Sequence, residues 1–167
     1  GVMGATSTQC DTITVALHNM ASPFAEAFSF KGVLNTDGTI SCTFPGAAIG
    51  NSYYVVVKHR NALDTWSANP VAITATTSYS FASGASQAYG SNMVAKGSLY
   101  AMFSGDIDSI LGDDAIDLID YSIWEADYNN LSTGYIQSDL NGDGSVDLID
   151  YSIWEGNFNN LISVLKP

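Results

Sequence analysis

The sequence predicts two regions of different fold class, an all-β antiparallel sandwich followed by a small all-α pair of loop–helix units. Three observations indicate this division. In the first hundred residues polar and apolar residues alternate over short stretches, as in half-buried strands. The nine residues DLIDYSIWE occur twice, at Asp117–Glu125 and Asp147–Glu155, and 13 of the 17 acidic residues follow residue 104. We therefore expect a sandwich over 1–97, a packed connector over 98–104 and a separate unit over 105–167.

The first region is expected to contain six or seven short strands. DTITVALHN alternates polar and apolar residues, with Ile13, Val15 and Leu17 on one face. SYYVVVKHR, FSFKGVL, PVAITATT and SYSFA are rich in β-branched and aromatic residues. The Asp-Gly pair of NTDG, between FSFKGVL and TISCTF, is typical of a hairpin turn. Regular short strands separated by turn residues favour an antiparallel β-sandwich.

Composition narrows the classes of function. A chain of 167 residues that is 46% hydrophobic can bury a core, and it lacks the run of about 18 apolar residues that a membrane span requires. Its net charge of −12 lies in the last third, where thirteen acids face one base. Such a segment repels nucleic acid and attracts cations. The sequence also lacks a nucleophile elbow, a metal-binding histidine pair and a glycine-rich phosphate loop, so we expect no enzyme.

Two further features concern the compartment of the protein. The chain starts at Gly1 without a basic and apolar leader, so a signal peptide is expected to be absent or removed. Cys10 and Cys42 match no zinc or redox spacing. In a secreted protein, a Cys10–Cys42 disulfide and two buried free thiols are both open alternatives.

The second repeat has the oxygen spacing of a twelve-residue calcium loop, here named loop 2. Positions one, three, five, seven, nine and twelve are Asp139, Asn141, Asp143, Ser145, Asp147 and Asp150. Because Ca²⁺ takes six to eight oxygens, a short chain has to wrap the ion and offer an oxygen at every second residue. Gly144 at position six allows the sharp turn, and Val146 at position eight should face a core. We expect Ser145 to bind through its carbonyl and Asp147 through water.

The first repeat, loop 1, fits the same pattern only with an insertion. Counting back from its last aspartate places Ser109 and Leu111 at positions one and three, where neither is a good ligand. A three-residue insertion between positions three and five restores the site. The predicted ligands are then Asp106, Asp108, Asp113, the carbonyl of Ala115, Asp117 and Asp120. The alternative is a degenerate loop that binds calcium weakly or not at all.

Each loop leads into a predicted helix with an apolar stripe. The stripes are Ile119, Ile123, Trp124, Tyr128 and Leu131 in one copy, and Ile149, Ile153, Trp154, Phe158 and Leu161 in the other. Neither unit is large enough to bury its own stripe, so the two helices should pack against each other. Extracellular calcium modules bind with a Kd of about 10⁻⁴–10⁻³ M, which suits a structural role for the ion.

Residues 105–167 resemble a dockerin. The likeness rests on two calcium loops, each followed by a helix and lacking the leading helix of a full EF-hand, with aspartate at position twelve (Asp120 and Asp150). More loosely, SYYVVVKHRNALDTWSANPV is similar to immunoglobulin-like or transthyretin-like sandwiches of large secreted bacterial proteins. The resemblance implies two bound Ca²⁺ ions, a secreted protein on a bacterial or archaeal cell surface, and noncovalent docking onto a cohesin-type β-sandwich.

The resemblance also implies which residues face the partner. They are Leu118, Ile119, Glu125 and Ala126 in one copy, and Leu148, Ile149, Glu155 and Gly156 in the other. Dockerins more often carry hydroxyl and basic residues there. The helical wheel assigns Ile119 and Ile149 to the core. Neither metal binding nor core packing explains the duplication of four residues, which are therefore the candidate docking residues: Leu118, Glu125, Leu148 and Glu155.

Three functions are consistent with these features. The first is a noncatalytic attachment module that docks onto a protein partner. The second is a self-assembling subunit, whose acidic unit contacts the sandwich of the next copy and builds a filament or layer. The third is a carbohydrate-binding module that uses the aromatic residues Tyr53, Tyr54 and Trp66.

Overall fold

A computed structural model describes residues 8–108 and 113–167. Its principal antiparallel sheet has the order β2-β1-β3-β4, with β5 beside β3. The strands are β1 Gln9–His18, β2 Glu26–Asn35, β3 Ser52–His59, β4 Ala62–Trp66 and β5 Val71–Ala72. A separate hairpin contains β6 Val94–Lys96 and β7 Leu99–Ala101, and the two helices are α1 Leu118–Asn129 and α2 Leu148–Asn159. Neither helix is long and apolar enough to cross a membrane.

The centre of the principal sheet is buried on both faces. Leu17 of β1 pairs with Val55 of β3, and both belong to a core on the first face. Their neighbours Ala16 and Val56 pair in the same register and contact Trp66 on the second face. This explains the continuous apolar run at the end of β1, since a strand covered on both faces has no polar side. The sheet is therefore an inner layer of the molecule.

The predicted sandwich is wrong, because the described residues form no second large sheet facing the first. Beyond the principal sheet there is only the hairpin of three-residue strands. TISCTF and SYSFA, expected to be strands, have no strand pairing. Their alternating side chains Ile40, Cys42, Phe44 and Phe81 nevertheless pack on the first-face core. The alternation indicated which side chains turn inward, but a strand also needs a neighbouring strand, and none lies there.

The predicted separate all-α unit is also wrong, because the helices share a core with the sheet. Leu63 of β4 belongs to the same buried cluster as Trp124 and Trp154, and Phe103 packs against it. The amide of Leu63 donates to the carbonyl of Phe103 at 3.0 Å, beside a β-bridge between Ala62 and Ser104. Two further bridges join the segments that flank the helices, Ala115 with Ser163 and Thr133 with Ser145. The acidic region is thus continuous with the sheet.

The C-terminal segment ties loop 1 to the second face of the sheet. Val164 packs beside Trp66, and its amide donates to the carbonyl of Asp114 at 2.7 Å. The ammonium group of Lys166 forms an ion pair with the carboxylate of Asp114. Lys166, the one basic residue in 105–167, is therefore paired with a carboxylate of loop 1.

Cys10 and Cys42 are free thiols in this structure, so the disulfide alternative is not formed. Cys10 is exposed on β1, whereas Cys42 is half-buried against the first-face core. Burial raises the pKa of both thiols, and the charge of Asp11 adds to this at Cys10. Both cysteines are therefore expected to be protonated at neutral pH.

Candidate cation-binding loops

Both aspartates of each DLID sequence cap a helix. The side chain of Asp117 accepts the amide of Ile119 at 2.6 Å, and Asp120 accepts the amide of Asp117 at 2.8 Å. Asp147 and Asp150 make the same two bonds at the start of α2, at 2.7 and 2.9 Å. These are capping boxes with aspartate at both positions. Sequence reasoning missed this role, although an acid at the helix start and another three residues later was the available signal.

The twelfth residue of each loop also fastens the beginning of its own loop. Asp120 and Asp150 are fully buried, and Oδ1 of each accepts two backbone amides. The donors are Ile107 (2.7 Å) and Asp108 (3.2 Å) for Asp120, and Leu140 (2.7 Å) and Asn141 (3.0 Å) for Asp150. Each carboxylate therefore closes its loop by bonding the second and third residues to the helix start.

This shared bonding aligns the two loops. Asp106 and Asp108 take the positions that Asp139 and Asn141 occupy in loop 2, which is the alignment that the three-residue insertion requires. The stretch between Asp108 and Asp113, with Ser109 and Leu111 of the uninterrupted count, lies outside the described residues. Within the described part, the candidate ligands at both ends of loop 1 are brought together.

Loop 1 gathers carboxylate oxygens that lack partners. One oxygen from each of Asp106, Asp108 and Asp113 lies within 4.8 Å of the others, a grouping found only here among the described residues. Asp108 is 4% exposed, and among the described residues no amide or hydroxyl donates to either of its oxygens or to Oδ1 of Asp106. Burial, reinforced by the charges of Asp120, Asp108 and Asp113, raises the pKa of Asp106 to about 8. Burial also raises the pKa of Asp120 to about 6, against the effect of its amide donors. A cation would supply the missing partner, so these residues fit a metal site.

Loop 2 satisfies more of its oxygens internally. The buried carboxylate of Asp139 accepts the amides of Gly142 at 2.8 Å and Gly144 at 3.0 Å. Gly144 has φ +92°, a conformation that favours glycine at this turn. Asn141 accepts the amide of Asp143 at 2.7 Å and donates to its carboxylate at 2.9 Å. Asp143 in turn accepts the amide of Ser145 at 2.9 Å. The predicted ligands of loop 2 therefore already lie in one curled segment.

The helix stripes are confirmed only in part. Trp124 and Trp154 are each 4% exposed, Val146 is buried as predicted, and Ile123, Tyr128, Ile153 and Phe158 pack against their cluster. The other four stripe residues were predicted wrongly. They are Ile119, Ile149, Leu131 and Leu161, which are 42%, 55%, 81% and 84% exposed. The two leucines lie beyond the helix ends with positive φ, where helical periodicity no longer applies. The isoleucines lie about 140° around the helix from the tryptophans.

The helices meet through a near-symmetric aromatic core. Tyr121 lies 5.2 Å from Trp154, and Tyr151 lies 5.1 Å from Trp124, between ring centroids. The symmetry breaks at the indole nitrogens. Nε1 of Trp154 donates to the carbonyl of Asp117 at 3.1 Å, whereas Nε1 of Trp124 is buried and has no acceptor in the described part of the chain.

The candidate docking residues occupy equivalent places in the two units. Leu118 and Leu148 are each 61% exposed at the helix starts. Glu125 and Glu155 each accept a hydrogen bond from a tyrosine four residues earlier, at 2.8 Å. Backbone pairing of 115–116 with 162–163 brings Leu161 beside the start of α1, and pairing of 132–133 with 145–146 brings Leu131 beside the start of α2. We define the first apolar patch as Leu118, Ile119 and Leu161, and the second as Leu148, Ile149 and Leu131.

Comparisons of the chain with protein-family profiles, with curated proteins and with solved structures find no match. The resemblance to dockerins therefore rests on the repeat itself.

Proposed function

We propose that this chain is a noncatalytic, extracellular attachment module whose docking face is held in shape by two calcium ions. The observation that carries this proposal is the duplication of exposed apolar residues at the two helix starts, each fixed by a buried loop carboxylate. A helix start that only needed capping would not require an exposed leucine and isoleucine in both copies. Contiguous exposed apolar residues are typical of protein contact sites.

The chemistry of the loops supports calcium as the ion. Every predicted ligand is a carboxylate, amide or carbonyl oxygen, the donors that hard cations prefer, and neither cysteine nor histidine lies in residues 105–167. Loop 1 would hold an ion through Asp106, Asp108 and Asp113, and loop 2 through Asp139 and its neighbours. The bound ions would supply positive charge where the unpartnered oxygens are buried.

The two apolar patches support a protein partner. They lie at opposite helix starts of a near-symmetric pair, so the same partner surface could dock on either patch. The protein partner that we propose is a cohesin-type β-sandwich. A second copy of this chain is the alternative occupant. A carbohydrate is not proposed, because Tyr53 and Trp66 are 8% and 6% exposed and are used in packing.

Calcium binding is tested by titration calorimetry with calcium chloride and with magnesium chloride. We expect two calcium ions per chain.

The effect of calcium on stability is measured separately by urea denaturation. Calcium at about 100 times its Kd should raise the free energy of unfolding by about 2.7 kcal/mol per ion. A chain whose unfolding curve in calcium matches that in EDTA would contradict the proposal.

Docking is tested on immobilised cohesin-type sandwiches with single and double charge variants. L118E and L148E should each keep binding through the other patch, while the double variant should lose it. L99E is a matched control, because Leu99 is 57% exposed on β7, outside both patches. Equal capture of the double variant and the unmodified chain would exclude the patches as docking face. Calcium-dependent polymers in size-exclusion chromatography would instead favour self-assembly.

A further inference from the structure

The turn between β3 and β4 is where the principal sheet reaches the acidic loops. It consists of Arg60 and Asn61, between the paired residues His59 and Ala62. Asn61 is polar yet only 5% exposed. A buried side-chain amide is costly unless its groups are bonded, so its partners indicate what the turn does.

Asn61 bonds to the beginning of both loops. The side-chain nitrogen of Asn61 donates to the backbone carbonyl of Asp139 at 2.9 Å. The backbone carbonyl of Asn61 accepts the amide of Gly105, also at 2.9 Å. Asp139 is the first residue of loop 2, and Gly105 immediately precedes Asp106, the first residue of loop 1. One sheet residue therefore holds the starting points of both candidate cation loops.

The start of loop 1 has little freedom to move away from this contact. Gly105 has φ +125°, and a Cβ at this position would lie 3.3 Å from Cγ2 of Ile116 and 3.6 Å from Cα of Trp154. The preceding carbonyl, of Ser104, accepts the side-chain nitrogen of Asn157 in α2 at 2.6 Å. The start of loop 1 is thus packed closely against Ile116 and α2 beside its bond to Asn61.

Arg60 holds the segment that leads into loop 2. Its guanidinium carbon lies 4.2 Å from the ring centroid of Tyr135, and Nη1 donates to the carbonyl of Ile136. Tyr135 also donates its hydroxyl to Asp11 of β1. The turn therefore contacts loop 2 at its first residue and at the residues three and four positions earlier.

From these contacts we infer that Asn61 is a positioning residue that presets both loops for calcium and couples the two sites. The inference rests on the proposed calcium binding. An ion that draws in Asp139 fixes Asn61, and Asn61 fixes Gly105 next to Asp106. Binding at one loop then lowers the ordering cost at the other, which is positive cooperativity.

The test is calorimetric titration of N61A with calcium chloride. Losing one buried hydrogen bond is expected to weaken binding to loop 2 about tenfold. N61S is the second variant, because serine suits a turn but cannot reach the carbonyl of Asp139. N51A is the matched control, since Asn51 at the other end of β3 also donates one side-chain bond to a carbonyl, at 3.1 Å from Ala47. V55A lowers stability on the first sheet face without touching either loop, and should bind calcium normally.

Coupling is measured with D108A, which removes a loop 1 ligand. In the unmodified chain, D108A should weaken calcium binding to loop 2 severalfold; in the N61A background it should weaken it no further. Calcium affinity of N61A and N61S equal to that of N51A would overturn the inference while leaving the proposed function intact. No calcium binding by the unmodified chain would overturn both.

Discussion

The two loop–helix units share their helix starts but differ in how their loops satisfy buried oxygens. In both, an aspartate caps the helix, and a second, fully buried aspartate bonds three amides. In loop 2, the carboxylate of Asp139 accepts two glycine amides, and that of Asp143 accepts the side-chain nitrogen of Asn141. In loop 1, Asp108 takes the place of Asn141, and no amide or hydroxyl of the described residues bonds its buried oxygens. The residues that are identical in the two copies thus build the loop. The residues that differ between the copies set how strongly each loop depends on a cation.

Removing the buried twelfth carboxylate should have the largest effect, and a similar one in both units. D120A and D150A each leave three backbone amides without an acceptor and open the capping box. We expect each variant to lose about 3 kcal/mol or more of unfolding free energy, measured by urea denaturation in EDTA. Because the measurement is made without calcium, it isolates the hydrogen bonds from any ion. A loss below about 1 kcal/mol in one unit would show that this unit does not need its carboxylate as an acceptor.

Exchanging the third loop residues should separate the units. D108N removes a buried charge that faces Asp106 and Asp113 in loop 1, so at pH 9, above the pKa of Asp106, we expect the chain in EDTA to gain about 1.5 kcal/mol. The same variant should bind calcium more weakly at loop 1. N141D is the reciprocal change and should destabilise the chain in EDTA. If D108N destabilises the calcium-free chain, the charge of Asp108 does not cost stability in the calcium-free loop.

The sequence predicted the strands and repeats that depend on local pattern. Gln9–His18 and Ser52–His59 are strands because alternation and β-branched residues favour them, and each helix begins where its loop ends. The sandwich and the independent helical unit were wrong for a different reason. Leu63 joins the core of the helices, a contact between distant residues that no local period encodes. Ile40, Cys42 and Phe44 show the same limit, since alternation reports their burial but not the missing partner strand.

The alignment of the two loops depends on spacing within one short segment, so the sequence could place Asp106 and Asp139 at the first positions of their loops. Their role as calcium ligands stays a prediction. The sequence could not reveal which residues of the sheet hold these loops in place. Asn61 follows a strand and would ordinarily be assigned to a solvated turn. Its role depends on the turn lying against both loops, which only the tertiary structure shows.

The indole nitrogens offer a matched comparison across the near two-fold axis. W154F loses the bond from Nε1 to the carbonyl of Asp117, whereas W124F removes a buried donor that has no partner. Both changes reduce volume in the same aromatic core, so that cost largely cancels. We expect W154F to be less stable than W124F by about 1 kcal/mol in urea denaturation. Equal stability would mean that the asymmetry of the indole bonds carries no energy.

The smallest expected effect concerns Asp11, a sheet residue that accepts a hydrogen bond from Tyr135 in the segment before loop 2 and lies 3.6 Å from Nε of Arg60. Asp11 accepts bonds from the amide of Thr12 at 2.6 Å, from the hydroxyl of Tyr135, and lies 2.9 Å from Nε2 of His59. Burial pushes the pKa of Asp11 upward, but these bonds outweigh it and hold the pKa below its ordinary value of 3.8. A lowered pKa in the folded state means that the carboxylate stabilises the protein above about pH 4 and loses this effect as pH falls through the folded value.

D11N should therefore cost under about 1 kcal/mol at pH 7, and the difference from the unmodified chain should shrink toward zero near pH 2. Urea denaturation of both chains at pH 7, 4 and 2 measures the difference, from which the titration of all other acids cancels. D37N is the control, because Asp37 bonds to Thr39 in an exposed turn and makes no contact with Tyr135 or Arg60 among the described hydrogen bonds and ion pairs. A D11N deficit that stays constant with pH would assign the contact to packing of Asp11 rather than to its charge. Arg60 would then be the charged side chain that holds the segment before loop 2 to the sheet.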